Sequence, residues 1–148
     1  MKTTSRRKTR ELALSCLYEI ELGGHDVDAV VERTIESQDV QPQAREYLRD
    51  SVGRSWKHHE IVDKIIETLA VGWKLERIAK IDLTILRLSI VELLLGIEDP
   101  SPPDPVVINE AVVLAKKFST EDSGKFVNGI LASVVKAKEK YIAMFSVE

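Results

Sequence analysis

Apolar residues recur every three to four positions along nearly the whole chain, and glycine and proline divide that pattern into helical segments. Residues 5 to 22 contain neither breaker and run into Gly23-Gly24, a helix stop. On this first segment Leu12, Ala13, Cys16, Leu17 and Ile20 share one arc of the helix. Asp26 can cap a short second helix that carries Val27, Val30, Val31 and Ile35 on one face. Pro42 stands where a third helix would begin, and Leu48, Val52, Ser55 and Trp56 continue its stripe. Ile61, Val62, Ile65, Ile66 and Leu69 carry the pattern to Gly72, with a break expected near Gly53 or His58. Nothing in this half alternates with a period of two.

From Leu83 to Ile97 apolar residues point in almost every direction, interrupted mainly by Thr84, Arg87, Ser89 and Glu92. A helix apolar nearly all round belongs at the centre of a bundle. With Asp82, Arg87 and Glu92 in or beside it, this one is too short and too charged to cross a membrane. The connector Asp99-Pro100-Ser101-Pro102-Pro103-Asp104-Pro105 excludes helix and central strand. Asp104 and Pro105 then read as the N-cap and first residue of a helix carrying Val107, Ala111, Leu114 and Phe118. Asp122 or Ser123 caps a last helix whose core face is Val127, Ile130, Leu131 and Val134. The expected fold is all-α, a compact bundle of six or seven helices. One domain spans 1–148, with helical subdomains of about 1–72 and 73–148 meeting near Gly72.

Charge changes the picture more than composition does. The net charge is −3, yet the first ten residues hold Lys2, Arg6, Arg7, Lys8 and Arg10 and no acid. The other 138 residues hold 16 bases against 24 acids, so a basic arm stands on an acidic body. A transit peptide is disfavoured because Glu11, Glu19 and Glu21 follow at once and the segment continues into a core helix. The single cysteine, Cys16, excludes an internal disulfide and suits a reducing cytoplasm, where the protein is expected to reside.

Candidate chemistry is sparse. His58-His59-Glu60 is the one cluster suggestive of a metal, but neighbouring helical residues point about 100° apart and do not chelate together. A solvated helix is the expected role. Glu92 and Glu110 read as helix-surface or ion-pair carboxylates, and Asn109 and Asn128 as residues satisfying backbone or neighbouring helices. No phosphate loop, nucleophile elbow or paired-carboxylate pattern occurs. The expectation is a non-enzymatic protein without cofactor or metal.

On a helical wheel with Arg6 at zero, Arg10 falls near about 40°, Arg7 near about 100° and Tyr18 near about 120°. Three arginines and a tyrosine therefore flank the core arc, over roughly 18 Å of helix. Guanidinium groups suit phosphates, and a tyrosine face suits an unpaired base. This describes a surface for single-stranded RNA better than a membrane anchor. Lying at the surface, the arginines are expected to be removable with less than about 0.5 kcal/mol of lost stability.

Four stretches carry a resemblance: RRKTRELALSCLYEIE at 6–21, LERIAKIDLTILRLSIVELL at 75–94, VVINEAVVLAKKF at 106–118 and TEDSGKFVNGIL at 120–131. Together they resemble the NusB family, in the family's order. The resemblance implies an all-helical transcription antitermination factor. Such a factor binds the boxA element of nascent RNA together with the small-subunit ribosomal protein NusE. It joins an RNA polymerase elongation complex with other Nus factors and supports ribosomal RNA synthesis. The family's RNA-contacting positions correspond to Arg6, Arg7, Arg10 and Tyr18, and to Asp122, Ser123, Lys125 and Phe126. Asp82, at the acidic start of the central helix, corresponds to part of the NusE-facing surface.

Read alone, the residues leave a second class open. It is a helical scaffold whose basic arm meets an acidic partner or a second copy of the chain, and a homodimer fits either reading. A helix-turn-helix DNA binder is disfavoured, because no arginine-rich helix follows a tight turn.

Overall fold

The computed structural model describes residues 4–23 and 26–146. Lys2 of the basic arm and Gly24 of the first helix stop lie outside the described residues. Among those described are eight α-helices, one short 3₁₀ helix and no strand. The helices are α1 (Arg6–Gly23), α2 (Val27–Ser37), α3 (Pro42–Lys57), α4 (His59–Leu69), α5 (Lys80–Leu95), α6 (Asp104–Phe118), α7 (Glu121–Lys136) and α8 (Lys138–Phe145), with the 3₁₀ turn at Leu75–Arg77. All-α is therefore right, and the count exceeds the expected six or seven.

The helix starts follow capping chemistry. Ser5 Oγ accepts the Lys8 N–H at 3.0 Å, and Asp26 accepts the Ala29 N–H at 3.0 Å. Each bond satisfies a first-turn donor that has no partner within its own helix. Pro42 opens α3, where a missing N–H costs nothing. The break between α3 and α4 falls at His58, with Gly53 inside α3. Two expected caps move: α6 begins at Asp104 itself, after Pro103, and α7 is capped by Thr120 rather than by Asp122 or Ser123. Freed from capping, Asp104 accepts from Lys138 Nζ at 3.0 and 3.1 Å and ties α8 to α6.

α5 is the axis of the packing. Every residue from 82 to 94 is buried, and the helix packs against α1, α3, α4, α6, α7 and α8. Gly96 ends it with φ +77°, a left-handed conformation that glycine adopts without strain. Buried apolar residues from all eight helices form one cluster around it. Two arginine-centred ion-pair networks lie inside that cluster. Arg87 clamps Asp63 of α4 at 2.7 and 2.9 Å and reaches Glu21 of α1 at 3.1 Å. Arg10 of α1 reaches Glu92 of α5 at 2.9 Å, and Tyr47 of α3 donates to the same carboxylate at 2.7 Å.

His58 and His59 are not solvated as expected. His59 stacks on Trp56 with ring centroids 4.1 Å apart, and His58 meets the edge of Phe145 at 5.4 Å. Cys16 is buried against Thr34, as its place on the apolar arc implies, and burial pushes its thiol up. No helix among the described residues is long and apolar enough to cross a membrane.

Candidate nucleic-acid interface

Side chains of α1 and α6 meet along a seam whose α1 positions are spaced by three and four residues. Arg7 makes a forked pair with Glu110 at 3.1 and 3.2 Å, and one turn on Glu11 takes Lys117 Nζ at 2.8 Å. Two turns further, half-buried Tyr18 shares a cleft of about 210 Å³ with Leu14, Ile81 and Phe118. Positions 7, 11, 14 and 18 lie on one helical face, so the wheel correctly groups Arg7 with Tyr18. Arg7 is 57% exposed and can exchange its carboxylate for another anion.

Arg6 and Arg10 turn the other way, toward α3. The Arg6 guanidinium lies 3.9 Å above the Tyr47 ring and pairs with Glu98 at 2.9 Å. Such cation–π stacking holds a long side chain in one orientation. The Arg10 side chain is only 10% exposed and spends its charge on Glu92. Burial, and then the Glu92 charge, push the Tyr47 phenol up, so it remains a neutral donor to that carboxylate. The expected three-arginine surface is thus divided: Arg7 stays on the Tyr18 face, Arg6 turns toward α3, and Arg10 is buried. The wheel fails at Arg10 because hydrophobic periodicity has no way to register an ion pair inside the core.

The second group of candidates sits at the start of α7. Thr120 Oγ1 accepts the Ser123 N–H at 3.0 Å, and Ser123 Oγ donates to Asp82 Oδ2 at 2.8 Å. Asp82 is buried, so the sequence's picture of it as a surface acid gives way to a fastening between α5 and α7. Asp122 and Lys125 are exposed, and Phe126 is half-buried at the edge of the core. Its ring lines an open cleft of about 290 Å³ with Trp73, Arg77 and Asp82. This cleft and the Tyr18 cleft flank the same corner, where Ile81 and Asp82 begin α5 and Phe118 and Thr120 bracket the α6–α7 turn.

Two aromatic residues of this corner escape the sequence reading. Phe118, placed there on the core face of α6, is 40% exposed beside Tyr18, and Trp73 is 58% exposed beside Phe126. Their signal is position: Phe118 ends a helix just before a turn, and Trp73 follows Gly72 in a loop, so neither has a core to enter. Asn109 and Asn128 also differ from expectation. Both are exposed, and neither side chain makes a hydrogen bond among the described residues. No group of three or more His, Cys, Asp or Glu among the described residues could hold a metal ion.

A profile described as the NusB family matches residues 7–136. The chain is 44% identical over 133 residues to the transcription antitermination protein NusB of Acetivibrio thermocellus, covering 90% of each chain. Its fold is similar to that of solved T. maritima NusB, with a TM-score of 0.81 and 31% identity over 91% of this chain and 93% of that one. It is also similar to a crystal structure of antitermination factors NusB and NusE in complex with dsRNA. There the TM-score is 0.78 at 29% identity, over 89% of this chain and 96% of that one.

Proposed function

The chain belongs to the NusB family, and from that premise we propose that it is a transcription antitermination protein that binds boxA-type RNA together with NusE in an RNA polymerase elongation complex. It acts in the cytoplasm as an adaptor without a catalytic step. The observation that carries this reading is the α1–α6 seam, where exposed Arg7 leads along one helical face to the Tyr18–Phe118 cleft. Arg6, Arg7 and Lys125 hold phosphates, while Tyr18, Phe118 and Phe126 offer faces on which unpaired bases stack. Arg10 acts through Tyr47 and Glu92, which fix the end of α1 that carries Arg6 and Arg7. Asp122 and Ser123 shape the first turn of α7, with Ser123 anchored on Asp82. Exposed Val71 and Trp73, in the loop before α5, form part of the NusE-facing surface.

The test is titration of the whole protein with a boxA-type strand, with and without NusE, against a duplex of the same sequence. Single-strand affinity should rise when NusE is present. It should fall with salt along a log–log slope near about −0.7 per phosphate contact. Equal, salt-independent binding to every probe would overturn the reading.

Phe126 gives a sharper check. Half-buried, its ring should contribute less than the about 3–5 kcal/mol of a fully buried phenylalanine. Phe126→Ala should therefore soften the thermal melt only moderately, while RNA affinity loses about 1–3 kcal/mol of stacking. A full-sized stability loss with normal RNA affinity would return Phe126 to the core.

A further inference from the structure

On the side of α6 turned away from α1, a groove of about 510 Å³ runs between α6 and α7. Its volume is within the range of ligand clefts. Ile108 and Val112 contribute apolar surface, while Asn109 and Lys116 of α6 and Lys125 and Asn128 of α7 contribute the polar groups. No acidic side chain lines it. Asn109 and Asn128 are exposed and make no hydrogen bond among the described residues, so both amides are available to a ligand. At the α7 end, Gly124 leaves room that Lys116 occupies: a Cβ there would come within 2.9 Å of Lys116 Cγ. The lysine stem is thereby laid against the first turn of α7, and its ammonium lies 3.8 Å from Glu121 at the start of that helix.

We propose that this groove reads bases of the bound RNA strand, with Asn109 and Asn128 hydrogen-bonding base edges and Lys116 and Lys125 holding the flanking phosphates. The inference rests on the RNA-binding reading above and adds to it a site of sequence discrimination. A carboxamide presents a donor and an acceptor side by side, which matches the edge of an unpaired base. Ammonium groups on both walls favour a polyanion over a neutral peptide. Glu110, the partner of Arg7, is the neighbour of Asn109 on α6, so the groove and the seam occupy different faces of the same helix. A strand held by Arg7 and Tyr18 reaches the groove by passing over α6.

The test uses the whole protein carrying Asn109→Ala and Asn128→Ala, titrated with a boxA-type strand and with its single-base variants. Both side chains are exposed and unbonded, so the melting temperature should not move. Discrimination between the parent strand and at least one single-base variant should fall roughly tenfold, the order expected of one two-pronged amide contact. The salt slope should stay unchanged, because no cation has been removed. If the double variant binds the whole panel as the wild type does, the groove is not a base reader and the arginine seam stands without it. If RNA binding is unchanged but NusE binding is lost, the groove belongs to a protein, and the inference fails. If the wild type binds no RNA, the functional reading falls and takes this inference with it.

Discussion

Arg10→Ala should destabilise the protein by about 3–5 kcal/mol, the range for removing one partner of a buried ion pair. Glu92 is buried beneath α1, and without Arg10 its remaining hydrogen-bond partner among the described residues is the Tyr47 hydroxyl. For a chain of this size the loss corresponds to a fall in melting temperature on the order of 10 °C. Arg7→Ala should leave the melting temperature nearly unchanged, because its pair with Glu110 is exposed to solvent. Arginines three positions apart on one helix are thus expected to give opposite results. A double change that removes both charges, Arg10→Met with Glu92→Gln, should recover much of the loss, since replacing a buried pair by neutral groups of similar volume is often neutral. Thermal melts of the three variants decide the matter, and equal melts for Arg7→Ala and Arg10→Ala would show that Glu92 does not depend on Arg10. The same numbers revise the sequence expectation that all three arginines can be removed with little effect.

Arg87→Met should cost about 3 kcal/mol at neutral pH, at the lower end of the same range because its partners retain some contact with water. Methionine keeps most of the volume, so the loss reports charge rather than a cavity. The pH dependence follows from Glu21. Burial alone would push its carboxyl up, but Arg87 and Lys80 outweigh burial and hold it below its usual value near 4.5. A carboxyl held low contributes stability that is present above the unfolded value and lost as pH falls through the folded one. In the variant that contribution is lost, because Glu21 no longer has Arg87 beside it. The stability gap between wild type and variant should therefore be widest near neutrality and narrow below about pH 4.5. A constant gap across that range in denaturant titrations would remove Glu21 from the account.

Hydrophobic periodicity makes much of this fold legible. The all-round apolar run of α5 correctly predicts a central helix, and Asp26 and Pro42 mark helix starts where the structure has them. α8 is not legible, because α7 ends at Ala137 with φ −124° and ψ 36° and no glycine or proline announces the turn. At the site the failures have one origin. Sorting by polarity sends Arg10 outward and Phe118 inward, and the resemblance sends Asp82 outward, whereas partners decide the matter. Arg10 finds Glu92 and Asp82 finds Ser123, each from another helix, while Phe118 reaches the end of α6 with no helix above it. The asparagines of α6 and α7 show the converse, polar groups whose expected neighbours are absent and whose surface is open.

The carboxylates facing the basic arm have a consequence for selectivity. Glu98 and Glu110 already occupy the guanidinium groups of Arg6 and Arg7, so an arriving phosphate exchanges one anionic partner for another. The net gain from a single exchange at a solvent-exposed pair is small. An inorganic phosphate or mononucleotide collects that gain once. A strand that presents several phosphates at fitting intervals collects it at each cation, with every exchange after the first made at a high effective concentration. On the proposed reading, the arm would filter anions by valence: small phosphates would leave its internal pairs in place, and a polymer of the right spacing would open them together.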